Sequence, residues 1–400
     1  MLLRNIFIII FLLVIIIIYI IPFSIFDFGN KAKKWTRPKT CKYMMPSNIT
    51  NSLNALNIKH TNDYNKADII FPCGYNDINT EINGLPNVYN AKDYTNPKNV
   101  FIIDGADEFS AKNNLWTHIL NYYGYEKAKE LSPNTFILNN KDDLIRLEKE
   151  HNINNIYIMK KNIQRQEGLL ITRDIDLIKK SQEYAVAQIL LQNPYLINGL
   201  KINLRVYILV TCHKDTTNIY VFNNGFMYYT KQPFVKNSME TDNNITTGYV
   251  ERKVYTENPL THEDFKYYLD LTEGEHYHKN NTRSLNNAER QIKQDGFLLS
   301  QVVFNNIMIL IRDVFMSFKG KICKSTSQIY KDNSYQIFGA DVAISDKLQA
   351  QIIEINKGPD LDAKDERDKM VKTKLTNDMF ELIGLREISN ENGFINVLSI

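Results

Sequence analysis

Two apolar segments late in the sequence carry oxygen-bearing side chains at a spacing that could bind a metal ion. Glu354 and Asn356 are two residues apart, so in a strand both point to one face. Asp341 joins that face if the two segments form an antiparallel pair joined by a loop of two or four residues. Oxygen ligands beside a phosphate chain suit Mg²⁺. A solvated sheet face is the alternative, but the isoleucines around Glu354 predict burial, and a buried carboxylate needs a partner.

Cationic side chains in two other segments could contact a phosphate chain. Lys160 ends a short apolar run and precedes a polar loop that contains Gly168. A solvated strand end is the alternative, because one glycine is far from a phosphate-binding loop. Further along, alternation places Lys201, Asn203 and Arg205 on one face of a strand whose other face is apolar. A surface strand with a charged face is the alternative for this segment.

The elements that must position these residues alternate between strands and helices in the first half of the chain. Short apolar runs closed by Pro, Gly or Asp predict buried strands, and charged or amphipathic segments predict helices. The predicted strands cover 67–71, 100–104, 135–138 and 155–159, and the predicted helices lie within 106–130 and 141–150. This alternation is typical of an α/β or α+β fold.

The second half of the chain predicts an antiparallel sheet. Its β-branched and aromatic strands cover 204–211, 219–222 and 226–229. Asn223-Asn224-Gly225 lies between the last two and predicts a hairpin turn. Residues 273–296 are polar without periodicity, which predicts a mobile excursion. Apolar residues at helical spacing within 301–318 predict a core helix.

Composition excludes several classes of protein. The 400 residues are 44% hydrophobic and 23% charged, which is ordinary for a globular chain of two or three domains. A net charge of +3 provides no polycationic surface, so we expect no nucleic-acid partner. The cysteines are far apart in sequence, which favours buried free thiols in a reducing compartment over disulfides or a zinc site. They are Cys41, Cys73, Cys212 and Cys323.

The N-terminus is the most extreme segment of the sequence. Residues 6–21 are consecutively apolar, and 22–26 extend the stretch to about 21 residues, about 31 Å of helix, enough to cross a bilayer. A cleaved signal peptide is the alternative, but no small-residue cleavage site follows the run. One Arg precedes the run and six Lys or Arg follow it, so we expect a single-pass membrane protein whose bulk faces the cytoplasm.

Taken in order, these motifs resemble those of the tubulin tyrosine ligase-like family, which has the ATP-grasp fold. The family pattern places a strand-end Lys before a glycine loop, then Q-x-Y-I-x-x-P-L-L-I, K-F-D-L-R-x-Y-V-L and G-x-D before E-x-N-x-x-P-x-L. Similar segments occur at 160–171, 188–197, 201–209 and 339–361. The last, ending E-I-N-K-G-P-D-L, is the most specific, and Lys112 matches a short K-x-x-L motif. The resemblance covers about residues 95–361.

The resemblance implies a role for each matching residue. Asp341, Glu354 and Asn356 would hold Mg²⁺, and Arg205 would be the catalytic residue facing the γ-phosphate and the incoming carboxylate. The implied ATP-binding residues are Lys112, Lys160, Glu167, Gly168, Gln188, Leu191, Lys201 and Asn203. The implied chemistry is ATP-dependent carboxylate–amine ligation, in which a carboxylate attacks the γ-phosphate and an amine captures the resulting acyl phosphate.

The sequence also departs from the family pattern. Gln166 replaces a common glycine of the loop, and Leu190 replaces an aromatic residue of the adenine hinge. Asn203 stands where the family usually has Asp, and Tyr228 where many members have Arg. The residues for ATP and metal therefore persist, whereas those on the substrate side differ.

Together these observations predict an α/β (α+β) ATP-grasp ligase with an N-terminal transmembrane helix. It would use ATP and Mg²⁺ to add a free amino acid (Tyr, Glu or Gly unresolved) to a protein acceptor, with tubulin as one candidate. The alternatives are a catalytically impaired, membrane-tethered nucleotide-binding module and a small-molecule peptide ligase. The predicted parts are an anchor (1–26), a basic linker (27–50), an N-terminal α/β domain (51–109), central (110–190) and C-terminal (191–386) ATP-grasp subdomains, and a tail (387–400).

Overall fold

The computed structural model describes residues 33–42, 44–74, 80–81, 98–163, 168–247, 252–279 and 281–400. The predicted transmembrane helix and Glu167 lie outside these ranges. The strands are β1 (Lys34–Thr36), β2 (Lys59–His60), β3 (Ile69–Ile70), β4 (Asn99–Val100), β5 (Thr135–Ile137), β6 (Tyr157–Lys160), β7 (Leu169–Thr172), β8 (Val186–Ile189), β9 (Leu196–Ile197), β10 (Leu200–His213), β11 (Thr216–Thr230), β12 (Thr246–Thr247), β13 (His276–His278), β14 (Asn281–Thr282), β15 (Asn333–Ile344), β16 (Ala350–Asn356) and β17 (Phe394–Ser399).

The helices are α1 (Ser47–Ala55), α2 (Asp107–Ser110), α3 (Lys112–Tyr123), α4 (Tyr125–Leu131), α5 (Lys141–Glu150), α6 (Ile175–Lys180), α7 (Thr241–Asn244), α8 (Val254–Glu257), α9 (His262–Asp270), α10 (Asn287–Gln294), α11 (Leu299–Met316) and α12 (Glu366–Leu382). A short 3-10 helix covers Tyr64–Lys66. The predicted mixed α/β class is confirmed.

A large mixed sheet runs through the molecule in the order β12-β11-β10-β15-β4-β3-β1-β2. Strand β16 adds to β15, β17 to β11, and β9 to β10. The long strands β10, β11 and β15 are antiparallel, whereas β4 pairs with β15 and β3 in parallel. One continuous sheet therefore joins the N-terminal strands to the strand that carries Asp341.

A smaller sheet has the order β5-β8-β6-β7, and its pairs are antiparallel. One face buries Phe136, Tyr157 and Met159 against Leu147 of α5 and Ile178 of α6. Two features of the sequence favour helix α5. Its apolar residues recur at helical spacing, and Asn140 caps its start with a side chain that accepts hydrogen bonds from the Asp142 and Asp143 amides. The other face of the sheet is directed towards the large sheet and carries Lys160 and Gln188.

The predicted hairpin turn at 223–225 is wrong. Strand β11 continues through these residues, and the chain reverses at Lys214 and Asp215 instead, where Lys214 adopts a positive φ of 49°. The strand bulges here: Val206 faces Gly225 and Ile208 faces Val221, so residues 222–224 of β11 lie opposite Tyr207 alone. A Cβ at Gly225 would collide with the Arg205 carbonyl oxygen and the His262 ring, so the glycine serves a close approach rather than a turn.

The predicted mobile excursion at 273–296 is also wrong. The described residues of this segment form β13, β14 and α10, and Asn286 and Glu289 form a capping box at the start of α10. Glu289 is buried and forms an ion pair with buried Arg283, and it accepts a hydrogen bond from Tyr195 Oη at 2.7 Å. Buried polar contacts hold this segment, and hydrophobic periodicity does not reveal such contacts.

Two segments predicted to lie outside the folded part belong to it. Within the predicted linker 27–50, β1 pairs with β2 and β3 and α1 begins at Ser47. Thr36 is fully buried there. Within the predicted tail, β17 pairs with β11. Strands β1 and β17 are short and flanked by polar residues, so a search for apolar runs does not detect them.

The prediction of free thiols is wrong as well, because the cysteines form two disulfides. Cys41 pairs with Cys73 and Cys212 with Cys323, with Cα–Cα distances of 4.9 and 5.7 Å. The parallel strands β1 and β3 end at the same edge of the sheet, and this brings the first pair together across 32 residues. The second pair joins the end of β10 to the segment after α11.

The predicted core helix is confirmed as α11. It buries Val303, Ile307, Leu310 and Val314 against the large sheet. In the part of the chain that the structure describes, α11 alone is long and apolar enough to cross a membrane by length and composition. Its apolar face lies in the protein core.

Candidate active site

A cleft between the two sheets brings together eight of the twelve predicted site residues. Arg205, Gly168 and Asn356 are not among its lining residues, and Glu167 lies outside the described residues. The cleft encloses about 840 Å³ of space, its open mouth included. The small sheet contributes Ile158, Lys160, Leu169, Gln188 and Ile189, and the large sheet contributes Lys201, Asn203, Asp341, Ala343, Ile353 and Glu354. Lys112 lies at the first residue of α3, and Leu190, Leu191 and Thr246 complete the wall.

The predicted pairing of the carboxylates is confirmed, but the predicted loop of two or four residues is wrong. Five residues, 345–349, join the two strands, and a bulge rather than the loop length brings the carboxylates opposite each other. Asp341 of β15 lies directly opposite Glu354 of β16, and Gly339 lies opposite Asn356. The register shifts next to this pair, so that Val342 faces Ile352 and Ile353 is the extra residue. Asn356 Nδ2 donates to Glu354 Oε1 at 3.2 Å. The three predicted metal ligands therefore share one end of the strand pair.

Arg205 lies on the neighbouring strand and holds Asp341 with two hydrogen bonds. Its Nε donates to Oδ1 at 2.7 Å and its Nη2 to Oδ2 at 3.2 Å. The two residues are direct partners in the β10–β15 register, which fixes this geometry. The guanidinium also lies 4.9 Å from the centre of the Tyr228 ring, because Tyr228 on β11 lies next to Arg205 on the same face.

The charges at this end of the cleft compensate one another. Burial raises the pKa of Asp341, Arg205 opposes that shift, and Glu354 adds to it. Burial would also raise the pKa of Glu354, but Lys112 and Lys160 outweigh it and lower that pKa. Lys112 Nζ lies 3.4 Å from Glu354 Oε2. Glu354 is therefore a carboxylate at neutral pH.

Two buried lysines lie deeper in the cleft. Burial lowers the pKa of Lys160 to about 8, against the attraction of Glu354, and Lys112 lowers it further. Burial, with repulsion from Lys160, lowers the pKa of Lys201 to about 8 as well. Lys160 Nζ donates to Gln188 Oε1 at 2.7 Å. Crowded ammonium groups of this kind gain most from an anion with several charges.

The opposite end of the cleft is less charged. Asn203 Nδ2 donates to Thr246 Oγ1 at 2.9 Å, and Asn203 Oδ1 is buried without a hydrogen-bond partner among the described residues. Leu191 lines the wall beside it. Gly168 has a φ of +78°, and a Cβ there would lie 2.9 Å from Lys161 Cδ. The predicted nucleoside end therefore offers apolar walls and one free acceptor.

Several residues of the site were not predicted from the sequence. Thr246 was missed because its strand has two residues, and Thr135 because it lies behind the cleft. Lys357 forms a 2.6 Å ion pair with Asp107, next to the start of α3. Thr135 lies directly opposite Gln188, but this long-range pairing leaves no signal in the sequence pattern.

The fit of the three predicted metal ligands to a divalent cation depends on their donor atoms and on their neighbours. Asp341, Glu354 and Asn356 supply only oxygen donors to one end of the cleft, which suits Mg²⁺ with bound waters and phosphate oxygens. Both Asp341 oxygens are bonded to Arg205, and Lys112 is near Glu354. Among the described residues, no group of three or more His, Cys, Asp or Glu could hold a metal ion. The residues fit an ion that arrives with a phosphate chain, and the ligand set stays a prediction.

The sequence profile of the tubulin-tyrosine ligase family matches residues 103–391. The matched range contains both sheets of the cleft and the strands that carry Arg205, Asp341 and Glu354. The chain belongs to this family. The resemblance inferred from the motifs is thereby confirmed.

Curated relatives within the family are named as tubulin-modifying ligases. A probable beta-tubulin polyglutamylase of Tetrahymena thermophila is 24% identical over 59% of this chain and 19% of its own length. A probable tubulin polyglutamylase, TTLL2, of Homo sapiens is 26% identical over 57% of this chain and 35% of its own length. A probable alpha-tubulin polyglutamylase, Ttll1, of Tetrahymena thermophila is 25% identical over 63% of this chain and 59% of its own length. The chain thus spans less than two thirds of the length of each of these relatives.

Proposed function

We propose that the protein is an ATP-dependent carboxylate–amine ligase that adds an amino acid to a protein acceptor. The observation that supports this most directly is the cleft in which Lys112, Lys160, Lys201 and Arg205 surround the opposed carboxylates Asp341 and Glu354. Phosphoryl transfer requires cations positioned around dispersed negative charge, and this cluster supplies them. Membership of the family gives the cluster its reaction class.

In the proposed reaction, an acceptor carboxylate oxygen forms a bond to the γ-phosphorus of ATP. The bond from that phosphorus to the β–γ bridging oxygen breaks, and ADP leaves. The amine nitrogen of the incoming amino acid then attacks the acyl carbon of the acyl phosphate, inorganic phosphate leaves, and the nitrogen loses a proton. The products are an amide, ADP and phosphate.

The residues of the cleft have distinct roles in this proposal. Lys160 and Lys201 hold the phosphate chain, and Lys112 neutralises charge beside Glu354. Arg205 is fixed by Asp341 and Tyr228, so its guanidinium stabilises the transferring phosphoryl group without reorganisation. Asp341, Glu354 and Asn356 would hold Mg²⁺, which when bound neutralises phosphate charge.

The acceptor and the donor belong to the same proposal. The relatives named above are polyglutamylases of tubulin, which supports tubulin as the first acceptor to test. The chain differs from the family pattern at Asn203 and Tyr228, on the substrate side, so Tyr, Glu and Gly are all to be tested as donors.

We also propose that residues 1–26 tether the ligase to a membrane as a single-pass anchor. The uninterrupted apolar run supports the tether, and the lysines and arginines that follow it favour a cytoplasmic catalytic domain. The disulfides favour the opposite side, because such bonds persist in oxidising compartments. A thiol count, described below, separates the two placements.

The test is ligation by the full chain in detergent, with Mg²⁺, ATP, mixed tubulin and each amino acid in turn. Truncation at residue 45 is unsuitable because it removes β1 and Cys41. We expect ATP consumption and a mass increase of the acceptor that identifies the donor, both read by intact mass spectrometry with an ADP assay. ATP binding without a modified protein, but with a modified metabolite, would favour a small-molecule ligase.

Glu354→Gln tests the role of the carboxylate pair. We expect it to lower the turnover number at least about 100-fold, because a half-buried charge that lies beside the proposed phosphate site is lost. Glu130→Gln is the matched control, since Glu130 is exposed and forms only an i,i+3 pair with Lys127. Full activity of Glu354→Gln would remove the basis of the proposal, and inactivity of the unmodified chain with intact ATP binding would favour an impaired nucleotide-binding module.

A further inference from the structure

A chain of hydrogen bonds leads from the cleft into the protein behind it. Lys160 Nζ donates to Gln188 Oε1 at 2.7 Å, and Gln188 Nε2 donates to Thr135 Oγ1 at 3.0 Å. The Thr135 hydroxyl in turn donates to the Pro133 carbonyl oxygen at 2.7 Å. Lys160, Gln188 and Thr135 are all buried. Pro133, Lys160 and Gln188 line the cleft, whereas Thr135 does not, so the Thr135 hydroxyl acts on the Lys160 side of the cleft through Gln188.

The donor and acceptor groups allow only one direction for this series of hydrogen bonds. A carbonyl oxygen only accepts, so the single hydroxyl proton of Thr135 is committed to Pro133. The free lone pairs of Thr135 Oγ1 then face Gln188, and they require a donor there. The amide NH₂ of Gln188 is therefore directed to Thr135, and its carbonyl oxygen to Lys160.

Strand register places the three side chains in line. Thr135 of β5 lies directly opposite Gln188 of β8, and Gln188 lies opposite Ile158 of β6. Lys160 is two residues from Ile158, so its side chain shares a face with Gln188. The geometry follows from ladder pairing and not from a flexible loop.

A fixed amide orientation matters because of the other charges around Lys160. Lys112 and Lys201 repel its ammonium group, and Glu354 and Asp341 attract it from the large sheet. If the Gln188 amide turned over, its NH₂ would face the ammonium group, and two donors would meet in a buried site. Lys160 would then lose the acceptor that holds it towards the cleft.

We propose that Thr135 is a positioning residue for ATP binding: its hydroxyl orients the Gln188 amide, and the amide oxygen holds the Lys160 ammonium group towards the phosphate chain. This inference rests on the proposed function only in assigning ATP to the cleft.

The experiment measures ATP affinity of the full chain in detergent by calorimetry with Mg²⁺. Thr135→Val removes the hydroxyl and keeps the shape, and Thr135→Ser restores it. We expect Thr135→Val to raise the dissociation constant of ATP about tenfold, the size of one hydrogen bond to a charged group, and Thr135→Ser to stay within about twofold of the unmodified chain. Thr376→Val is the matched control, because Thr376 is equally buried, donates to the Lys372 carbonyl oxygen and lies outside the cleft.

The same substitution in a Lys160→Met variant distinguishes a positioning role of Thr135 from a general loss of structure. In Lys160→Met, Thr135→Val should cause no further loss of ATP affinity, because its effect passes through Lys160. Unchanged affinity of Thr135→Val, equal losses in the Val and Ser variants, or a full loss that persists in Lys160→Met would each overturn the inference. If the unmodified chain binds ATP without ligating any acceptor, the proposed function fails while the Thr135 result still stands. If it binds no ATP, both fail.

Discussion

Lys160 and Lys201 are buried cations that have no carboxylate in direct ion-pair contact among the described residues. Desolvation disfavours their charged forms, and their proximity adds repulsion. Such a pair is costly in the free protein and is stabilised when a polyanion enters. The cost indicates a binding site rather than a structural ion pair.

The pH dependence of ATP binding follows from these two residues. Each has a pKa of about 8 in the folded free protein, below the usual value of 10.5, so each loses its proton as the pH rises through about 8. Since the protonated form binds phosphate, ATP affinity should be greatest below that pH and fall above it. Calorimetry across the range measures this. Lys160→Arg should retain affinity to higher pH, and a flat profile through pH 9 would contradict the shifted values.

For single residues, the sequence predicts which types can do chemistry and which face of a strand they share, but not which side chains they contact. Alternation was enough to place Glu354 and Asn356 on one face, but Asp341 joins them because of the bulge at Ile353, which the sequence does not reveal. The bond from Arg205 to Asp341 was not predicted, because it depends on β10 pairing with β15 across more than a hundred residues. Thr135 and Thr246 contact the site through pairings of the same long-range kind.

At the scale of elements, α10 and the hairpin β13–β14 are held by polar contacts. Glu289 caps its own helix, pairs with Arg283 and accepts from Tyr195, and its side chain is 1% exposed. A buried pair of this kind adds little net stability over an apolar replacement of both residues. Breaking it leaves one uncompensated charge, which is costly.

We expect Arg283→Met to lower the free energy of unfolding by about 3 kcal/mol or more, because buried Glu289 loses its counter-ion. Denaturant titration measures the change. Arg290→Met is the matched control, because Arg290 pairs with Glu273 on the surface and should cost less than about 1 kcal/mol. Equal effects of the two variants on the free energy of unfolding would show that the buried ion pair stabilises the fold no more than the surface pair does.

The elements that were predicted wrongly share one physical cause. Asn223-Asn224-Gly225 has the composition of a hairpin turn, but it lies in a strand paired with β10 and β17. Residues 273–296 have no periodicity, but a buried ion pair orders the described part. In both cases tertiary contacts override the local signal, whereas α5 and α11 have strong local signals and were predicted correctly.

At the scale of the whole molecule, two disulfides join segments that are distant in sequence. One links Cys41, beyond β1, to Cys73, beyond β3. The other closes a loop with a sequence separation of 111 residues between Cys212 and Cys323. Cross-links of this length restrict the unfolded chain strongly, so they contribute to stability wherever the redox environment allows them.

We expect the protein taken from its native source to contain no free thiols. Alkylation after denaturation without reductant, read by intact mass, should add no label, and reduction should lower the free energy of unfolding by about 2 to 4 kcal/mol for each bridge. Four alkylated cysteines would show that the bridges do not form in the cell. That outcome would support the cytoplasmic placement predicted from the basic flank.

Strand β15 pairs with both β4 and β16, and this shared position determines which part of the molecule can move. It pairs with β4 at Asn333 and Ser334 and carries Asp341 further along, so the N-terminal strands and the carboxylate pair belong to one continuous frame. Helix α4 belongs to that frame, since Gln351 Nε2 donates to the Lys129 carbonyl oxygen at 2.7 Å. The small sheet is joined to it by the chain connections at 132–134 and 190–195 and by hydrogen bonds, such as those from Lys112 to Asn162 Oδ1 and to the Ile163 carbonyl oxygen. If the protein turns over ATP as proposed, the small sheet has to move relative to this frame for the nucleotide to exchange, and we expect ADP release to depend on the connections at 132–134 and 190–195.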